Sequence, residues 1–240
     1  MPRLILSDIH ANREALEAVL AEAEGEYDQI VCLGDLVGYG AEPNAIVDWA
    51  RTHVAVTVRG NHDRACTGND SLDDYNAAAQ RSAEWTRLVL SEENAEFLRS
   101  LPRGPLRFEN YDLNHGSPAD EDEYLVTPFD VGPLRPLLET PATFFGHTHL
   151  QGGFLLTRGG VRPIPPKGTL ELQPQHFYLL NPGAVGQPRD GDPRAAFALY
   201  WPDERRIEYR RAAYDIHGAA AKIRGAGLPD ALAERLFYGR

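Results

Sequence analysis

The chain has 240 residues and a formal net charge of −11, with 35 Asp and Glu against 24 Lys and Arg. At 42% hydrophobic and 25% charged residues it is ordinary globular material, long enough for a single α/β domain spanning residues 1–240. The acidic balance excludes broad, sequence-independent nucleic-acid binding, no apolar run is long enough for a membrane span, and 2 Cys exclude a disulfide framework.

The opening segment Met1-Pro2-Arg3-Leu4-Ile5-Leu6 is too short in apolar residues for a signal peptide, so the expected compartment is the cytoplasm. Leu4-Ile5-Leu6 reads as a buried strand that stops at Asp8-Ile9-His10. Asn12 then caps a helix carried by Leu16, Val19, Leu20 and Ala23 and stopped by Gly25. A second unit repeats this grammar: a strand from Ile30 to Leu33 ending at Gly34-Asp35, a Gly/Pro-rich loop, a helix over 44–51, and a strand over 54–58 that stops at Gly60-Asn61-His62-Asp63. Cys32 falls in a strand and Cys66 in a loop, both as structural thiols.

Residues 71–102 read as helical, with Ala78, Trp85, Leu88 and Val89 facing a core, Ser91 capping a second helix and Pro102 ending it. Residues 106–113 alternate apolar and polar and lead to His115-Gly116; Phe144-Phe145 leads to Gly146-His147-Thr148-His149. The acidic stretch 120–123 reads as a solvated loop beside His115. Alternation near 153–161, 177–180, 195–201 and 206–212 predicts antiparallel strands, and two short helices close the chain near 216–224 and 229–237. The expected architecture is a sandwich with a partly parallel first sheet, a more antiparallel second sheet, and helices outside.

Asp, Asn and His therefore recur where a strand ends, and strand ends converge on one crevice in an open α/β sheet. Asp8, His10, Asp35, Asn61, His115, His147 and His149 form a mixed oxygen and nitrogen donor set without thiolates. Seven ligands are too many for one tetrahedral ion and suit two ions sharing a bridging carboxylate. The donor types favour Mn, Fe, Zn, Ni or Co over Mg or Ca. Two divalent ions less two aspartates and one hydroxide leave about +1 at the site, enough to draw an anionic phosphate to an acidic protein. Gly34, Gly60 and Gly146, each just before a ligand, permit close backbone approach, and Gly116 follows its His in the same way. His62 sits beside Asn61 but cannot easily reach the same ion, so it is the natural proton donor to a leaving oxygen. His53, His176 and His217 lack a strand-end glycine and read as surface or packing residues.

These ordered motifs resemble the calcineurin-like metallophosphoesterase superfamily, with all five of its blocks present. The similarity is greatest to its small prokaryotic phosphodiesterases, through Ser7-Asp8-Ile9-His10-Ala11-Asn12, Gly34-Asp35-Leu36-Val37-Gly38-Tyr39-Gly40 and the run from Asn181-Pro182-Gly183 to Arg189-Asp190. The resemblance implies a four-layer αββα sandwich of two mixed sheets flanked by helices. It implies that Asp8, His10, Asp35 and His149 hold one ion and Asp35, Asn61, His115 and His147 the other. A hydroxide between the ions would attack phosphorus, His62 would protonate the departing alkoxide, and manganese would be the usual metal. Where the protein phosphatases of the superfamily carry an Asp that orients the catalytic His and an Arg that grips phosphate, this chain has Gly38 and Tyr39. Protein phosphatase activity is therefore not expected. Arg189 is the candidate replacement phosphate contact, weighed against a surface role. The expected function is phosphodiester hydrolysis on a small substrate. A phosphomonoesterase and a dinucleotide polyphosphate hydrolase are enzymatic alternatives using the same centre, and a homo-oligomer stays open. A non-catalytic scaffold of the same fold, as in the retromer coat, would lack the His found here as His62.

Overall fold

The computed structural model describes residues 2–240. In chain order, β1 (Arg3–Leu6) is followed by α1 (Arg13–Glu22), β2 (Gln29–Cys32), α2 (Pro43–His53), β3 (Val54–Thr57) and α3 (Asn61–Cys66). Asn12 caps α1 as expected, accepting from the Ala15 N–H at 3.1 Å. Next come α4 (Ala77–Val89), α5 (Glu92–Ser100), β4 (Leu106–Phe108), β5 (Tyr111–Leu113), α6 (Pro128–Val131) and a 3-10 stretch at Gly132–Leu137. The rest is β6 (Ala142–Phe144), β7 (Gly152–Thr157), β8 (Gly160–Ile164), β9 (Thr169–Glu171), β10 (Phe177–Asn181), β11 (Ala195–Trp201), β12 (Arg206–Ala212), α7 (Ile216–Gly225), α8 (Asp230–Glu234) and a 3-10 turn at Arg235–Phe237.

Two six-stranded sheets result, with orders β3-β2-β1-β11-β12-β9 and β4-β5-β6-β10-β7-β8. Strand geometry sends alternate side chains to opposite faces, and both faces of the first sheet are buried. Leu4, Leu6, Ile30, Cys32, Phe197 and Leu199 pack under α1 and α2. Their neighbours Ile5, Val31, Ala198 and Tyr200 meet Tyr111, Phe144, Tyr178 and Leu180 of the second sheet. Leu179 points the other way, to Val131 and Leu134 of α6 and the 3-10 stretch. The layers are thus α, β, β, α. Each fully buried Leu or Phe contributes roughly 1.5–3 kcal/mol. No helix among the described residues is long and apolar enough to cross a membrane.

Five readings are corrected. The first sheet is partly parallel as expected, but the second is not more antiparallel than the first. Each has two parallel pairings, β1–β2 and β2–β3 in one, β5–β6 and β6–β10 in the other. The cause is that β10, read as antiparallel, lies beside β6 with the same direction. Residues 106–113 are two strands joined at Glu109, whose φ of 54° turns the chain. On α4, Ala78 and Trp85 pack against a core as expected, but Leu88 is 85% and Val89 39% exposed, and the fully buried face is Ala79, Ser82, Ala83 and Thr86. Small residues there let α4 approach closely: Ala83 joins Ala65 and Cys66 in one cluster, and Ser82 Oγ accepts the Tyr39 N–H at 2.5 Å. Cys66 ends helix α3 rather than lying in a loop. Glu121 is not solvated: it accepts two bonds from Arg59, at 2.9 and 2.8 Å, and lies 3.3 Å from Arg64.

Candidate metal centre

The carboxyl ends of β1, β2 and β3 in one sheet and of β5 and β6 in the other lie along the same edge. The loops leaving them bring Asp8, His10, Asp35 and His149 into one group and Asp35, His115 and His147 into a second, with the donor atoms of each group within 4.8 Å of one another. Asp35 is common to both. Asn61 joins the second group, its Oδ1 3.1 Å from His115 Nε2. All seven residues are buried.

Backbone bonds and carboxylates hold this arrangement. Val185 and Gly186 donate to the carbonyls of Ser7 and Asp8 at 3.0 and 2.9 Å, tying the loop after β10 to the loop after β1. Asn181 Nδ2 donates to Gly146 O at 3.0 Å and Thr148 Oγ1 at 2.9 Å, fixing the His147–His149 turn. Asp63 accepts from the N–H groups of Asp35, Leu36 and Gly60, each at 2.9 Å, so one buried carboxylate anchors both the loop after β2 and the start of α3. Burial and the nearby Asp35 push the Asp63 pKa up to about 7, against the pull of those donors. A side chain at Gly60 would collide with Asp35 Oδ1, and one at Gly146 with Ser7 Oγ. Asp8, His10, Ala11, Asp35, Tyr39, His147 and His149 have φ between 50° and 63°, a left-handed conformation that otherwise appears, among described non-glycine residues, only at Glu109 and Arg205. Such geometry costs of order 1–3 kcal/mol per residue and gathers at functional sites.

The donor set fits divalent cations. Asp8 Oδ1 and Asp35 Oδ2 are buried without a hydrogen-bond partner. His10 Nδ1 lies 3.0 Å from Val37 O and His149 Nδ1 2.5 Å from Gln187 O. These carbonyls assign the ring protons to Nδ1. The two Nε2 lone pairs then face each other at 3.1 Å, a contact that needs a positive charge between them. In the second group His115 Nδ1 meets Leu33 O at 2.8 Å and His147 Nε2 meets Asp122 O at 3.0 Å. That leaves His115 Nε2 and His147 Nδ1 facing each other at 3.1 Å. Burial opposes charge on His115, yet Asp35 and Asp8 outweigh it and hold its pKa up at about 10. Burial, then His115, pushes His147 down to about 3.

His62 lies outside both groups. Its N–H donates to Asp35 Oδ1 at 2.8 Å, and its ring is packed by Tyr39 at 4.3 Å, His10 at 5.0 Å and Tyr75 at 5.4 Å between centroids. Among the described residues no carboxylate orients it: its Nδ1 is buried and unpartnered, beside Gly38. Burial lowers its pKa to about 4, so the free imidazole is neutral. Tyr75 clamps the adjacent Asn61, accepting from its Nδ2 at 2.8 Å and donating to its carbonyl at 3.1 Å. Arg189 is partly buried rather than a surface residue. Its Nη2 donates to Tyr39 Oη at 3.2 Å and Gln187 Oε1 at 3.3 Å, and its N–H to the His149 carbonyl at 3.3 Å. The chain reading missed Asp63, Tyr75, Asn181 and Gln187 as supports, although Asp63, Asn181 and Gln187 fall within its motifs. His53 and His217 are exposed and His176 partly so, well away from this cluster.

The sequence model of the calcineurin-like phosphoesterase superfamily domain matches residues 1–204. The chain belongs to that superfamily. It is 38% identical over 244 residues to an uncharacterized protein of Methanocaldococcus jannaschii, covering 98% of this chain and 97% of that one. The crystal structure of a metallophosphoesterase from Sphaerobacter thermophilus is 40% identical and superposes with a TM-score of 0.88 over 100% of this chain and 99% of that one. A hypothetical protein from Pyrococcus horikoshii shares the fold at 19% identity, with a TM-score of 0.78 over 100% of this chain and 98% of that one. The αββα layers of this calcineurin-like phosphoesterase are those of its metallophosphoesterase neighbour, and its buried His/Asp clusters are groups that could hold divalent metal ions.

Proposed function

We propose that the protein is a phosphodiesterase that uses two divalent cations, manganese first among them, on a small phosphoester in the cytoplasm. The observation that carries this is the pair of unpartnered buried oxygens, Asp8 Oδ1 and Asp35 Oδ2, set among imidazole nitrogens, with the Nε2 lone pairs of His10 and His149 facing one another. Asp8, His10, Asp35 and His149 would hold one cation, and Asp35, Asn61, His115 and His147 the other. When bound, the two cations supply a water of lowered pKa and neutralise charge on the phosphoryl oxygens.

The chain's own groups supply the rest. Arg189 presents a guanidinium with no carboxylate partner among the described residues, suited to a non-bridging phosphate oxygen. His62 takes up a proton when the phosphate anion raises its affinity for one, and delivers it to the departing oxygen. Tyr39 and Tyr75 hold that ring in place, the work an Asp at position 38 would otherwise do.

Hydrolysis of bis(4-nitrophenyl) phosphate with added Mn2+, together with metal analysis, tests the assignment. Asp35→Asn should lose metal and activity together. His62→Ala should keep both cations while kcat falls by roughly 10²–10⁴. Full activity in either variant would overturn the role given to that residue.

A further inference from the structure

A cavity of about 310 Å3 opens beside the metal-ligating groups and touches them through Asn61 and His147. This is the small end of ligand-pocket sizes, about 300–1,000 Å3, and holds one ring system more readily than two. Three aromatic side chains line it: Tyr39, Tyr75 and Tyr124. Tyr124 is 51% exposed, and its ring stacks on His147 with centroids 4.0 Å apart and planes 30° from parallel. It is a shelf for a flat group.

The charge of the wall is one-sided. Asp70, Asp74 and Asp122 line the cavity and no Lys or Arg does. Arg64, from behind, pairs with Asp70 at 2.9 Å and Asp122 at 2.7 Å, and it also lies 3.3 Å from Glu121. Asp74 makes no ion pair among the described residues. Arg59 satisfies Glu121, and Arg64 and Arg87 are left against Asp70, Asp74 and Asp122, so the cavity wall keeps a net negative charge. The unpaired guanidinium of Arg189 is not part of this wall.

His62 settles which part of a substrate enters. It is 4% exposed, its buried Nδ1 has no hydrogen-bond partner, and it lines the cavity. The group that meets it is the one whose oxygen it protonates, the departing alcohol.

We infer that the cavity binds the leaving alcohol of the substrate and that this alcohol is ring-bearing and uncharged or cationic: a nucleoside, not an oligophosphate. The inference rests on the phosphodiesterase reading above. Water adds its oxygen to phosphorus and gives up one proton to solvent. The bond from phosphorus to the alcohol oxygen breaks, and that oxygen leaves with a proton from His62, which regains one from solvent. Tyr124 stacks on the ring, and Asp74 repels any further phosphate on the same moiety.

The test uses the full chain loaded with Mn2+ and two dinucleotides that share the same scissile diester. One is deoxyadenylyl-deoxyadenosine; the other carries an additional phosphate at each end. Wild-type kcat/KM should favour the first by about tenfold. Asp74→Lys should narrow that ratio to about threefold or less. In saturation-transfer NMR on the metal-free protein, adenosine should receive magnetisation and adenosine 3′,5′-bisphosphate should not, and Tyr124→Ala should abolish the adenosine signal. Equal or reversed preference in a protein that turns over bis(4-nitrophenyl) phosphate would overturn this inference and leave the phosphodiesterase reading standing. No turnover of that aryl diester with any divalent metal would remove both.

Discussion

Substituting Gly38 with alanine separates the chemistry from metal binding. Gly38 has φ +87°, and a Cβ built there lies 2.6 Å from His62 Nδ1 and 3.0 Å from its Cγ. Ordinary contacts between such atoms are about 3.5–4.0 Å, so the imidazole must retreat by roughly 1 Å. It has little room to do so, because Tyr39, His10 and Tyr75 pack it at 4.3, 5.0 and 5.4 Å. A displacement of about 1 Å in a catalytic group costs roughly 10²-fold in rate. A left-handed alanine adds about 1–2 kcal/mol of strain, partly offset by about 0.4–1 kcal/mol from a less flexible unfolded chain. At about 2–4 °C per kcal/mol for a chain this long, Tm should fall by only a few degrees. The assays are kcat on bis(4-nitrophenyl) phosphate at saturating Mn2+, metal content by mass spectrometry, and thermal melting. Gly38→Ala should keep both cations, melt slightly early and lose about 10² in kcat. A variant with kcat within about threefold of wild type would refute the claim that the rate depends on where the His62 ring sits.

Three more outcomes follow from the same geometry. Asn181→Ala leaves the Gly183 N–H and the Gly146 carbonyl without the side chain that bonds them at 2.8 and 3.0 Å. The Gly146 carbonyl keeps the Thr148 N–H at 2.7 Å, so the Gly183 N–H is the one orphan; at about 1–3 kcal/mol for a buried orphan, the urea midpoint should drop by the equivalent of roughly 2 kcal/mol, and cation affinity should weaken, whereas an unchanged midpoint would show that the turn holds itself. Burial pushes the Cys32 thiol up to about 12 and Cys66 higher still. Ellman's reagent at pH 8 should therefore find no reactive thiol in the native protein and two in guanidinium. Burial first of all depresses His62 to about 4, from 6.5 when unfolded, and His10 and His149 in the same direction. Below pH 6.5 the unfolded chain takes up protons that the folded chain refuses. Stability is thus present above 6.5 and lost as pH falls towards 4, by about 3 kcal/mol for His62 alone. His115, held up near 10, has the opposite sign: its contribution is present below 6.5 and lost as pH rises towards 10. Melting of the metal-free protein from pH 7 to 4 should show the acid loss; a flat profile would refute it.

That these seven residues gather at one edge was legible because each follows an apolar run read as a strand, and strand ends share an edge. Asn61 and His62 were found that way too, but their setting was not. They open α3, which has 6 residues, too few to show a helical period. Asp63 was in view and its role was not, because a carboxylate that ties Asp35 to Gly60 leaves no trace in residue spacing. Tyr75 sits in a polar stretch with no periodicity, and only the folded chain brings its hydroxyl to Asn61. The α4 face was misread in part because large apolar residues were weighed above small ones: Ala78 and Trp85 pack against a core as expected, but Leu88 and Val89 are exposed while Ala79, Ser82 and Ala83 are buried. Parallel pairing of β10 with β6 was hidden because an alternating strand reads the same in either direction.

The left-handed backbone at five of the seven proposed ligand positions, Asp8, His10, Asp35, His147 and His149, makes activity and robustness competing goods at the same sites. Glycine or asparagine there would relax the chain and, at those positions, empty the centre. A laboratory lineage selected for heat tolerance alone should discard these side chains early, and its hardiest descendants should be inert.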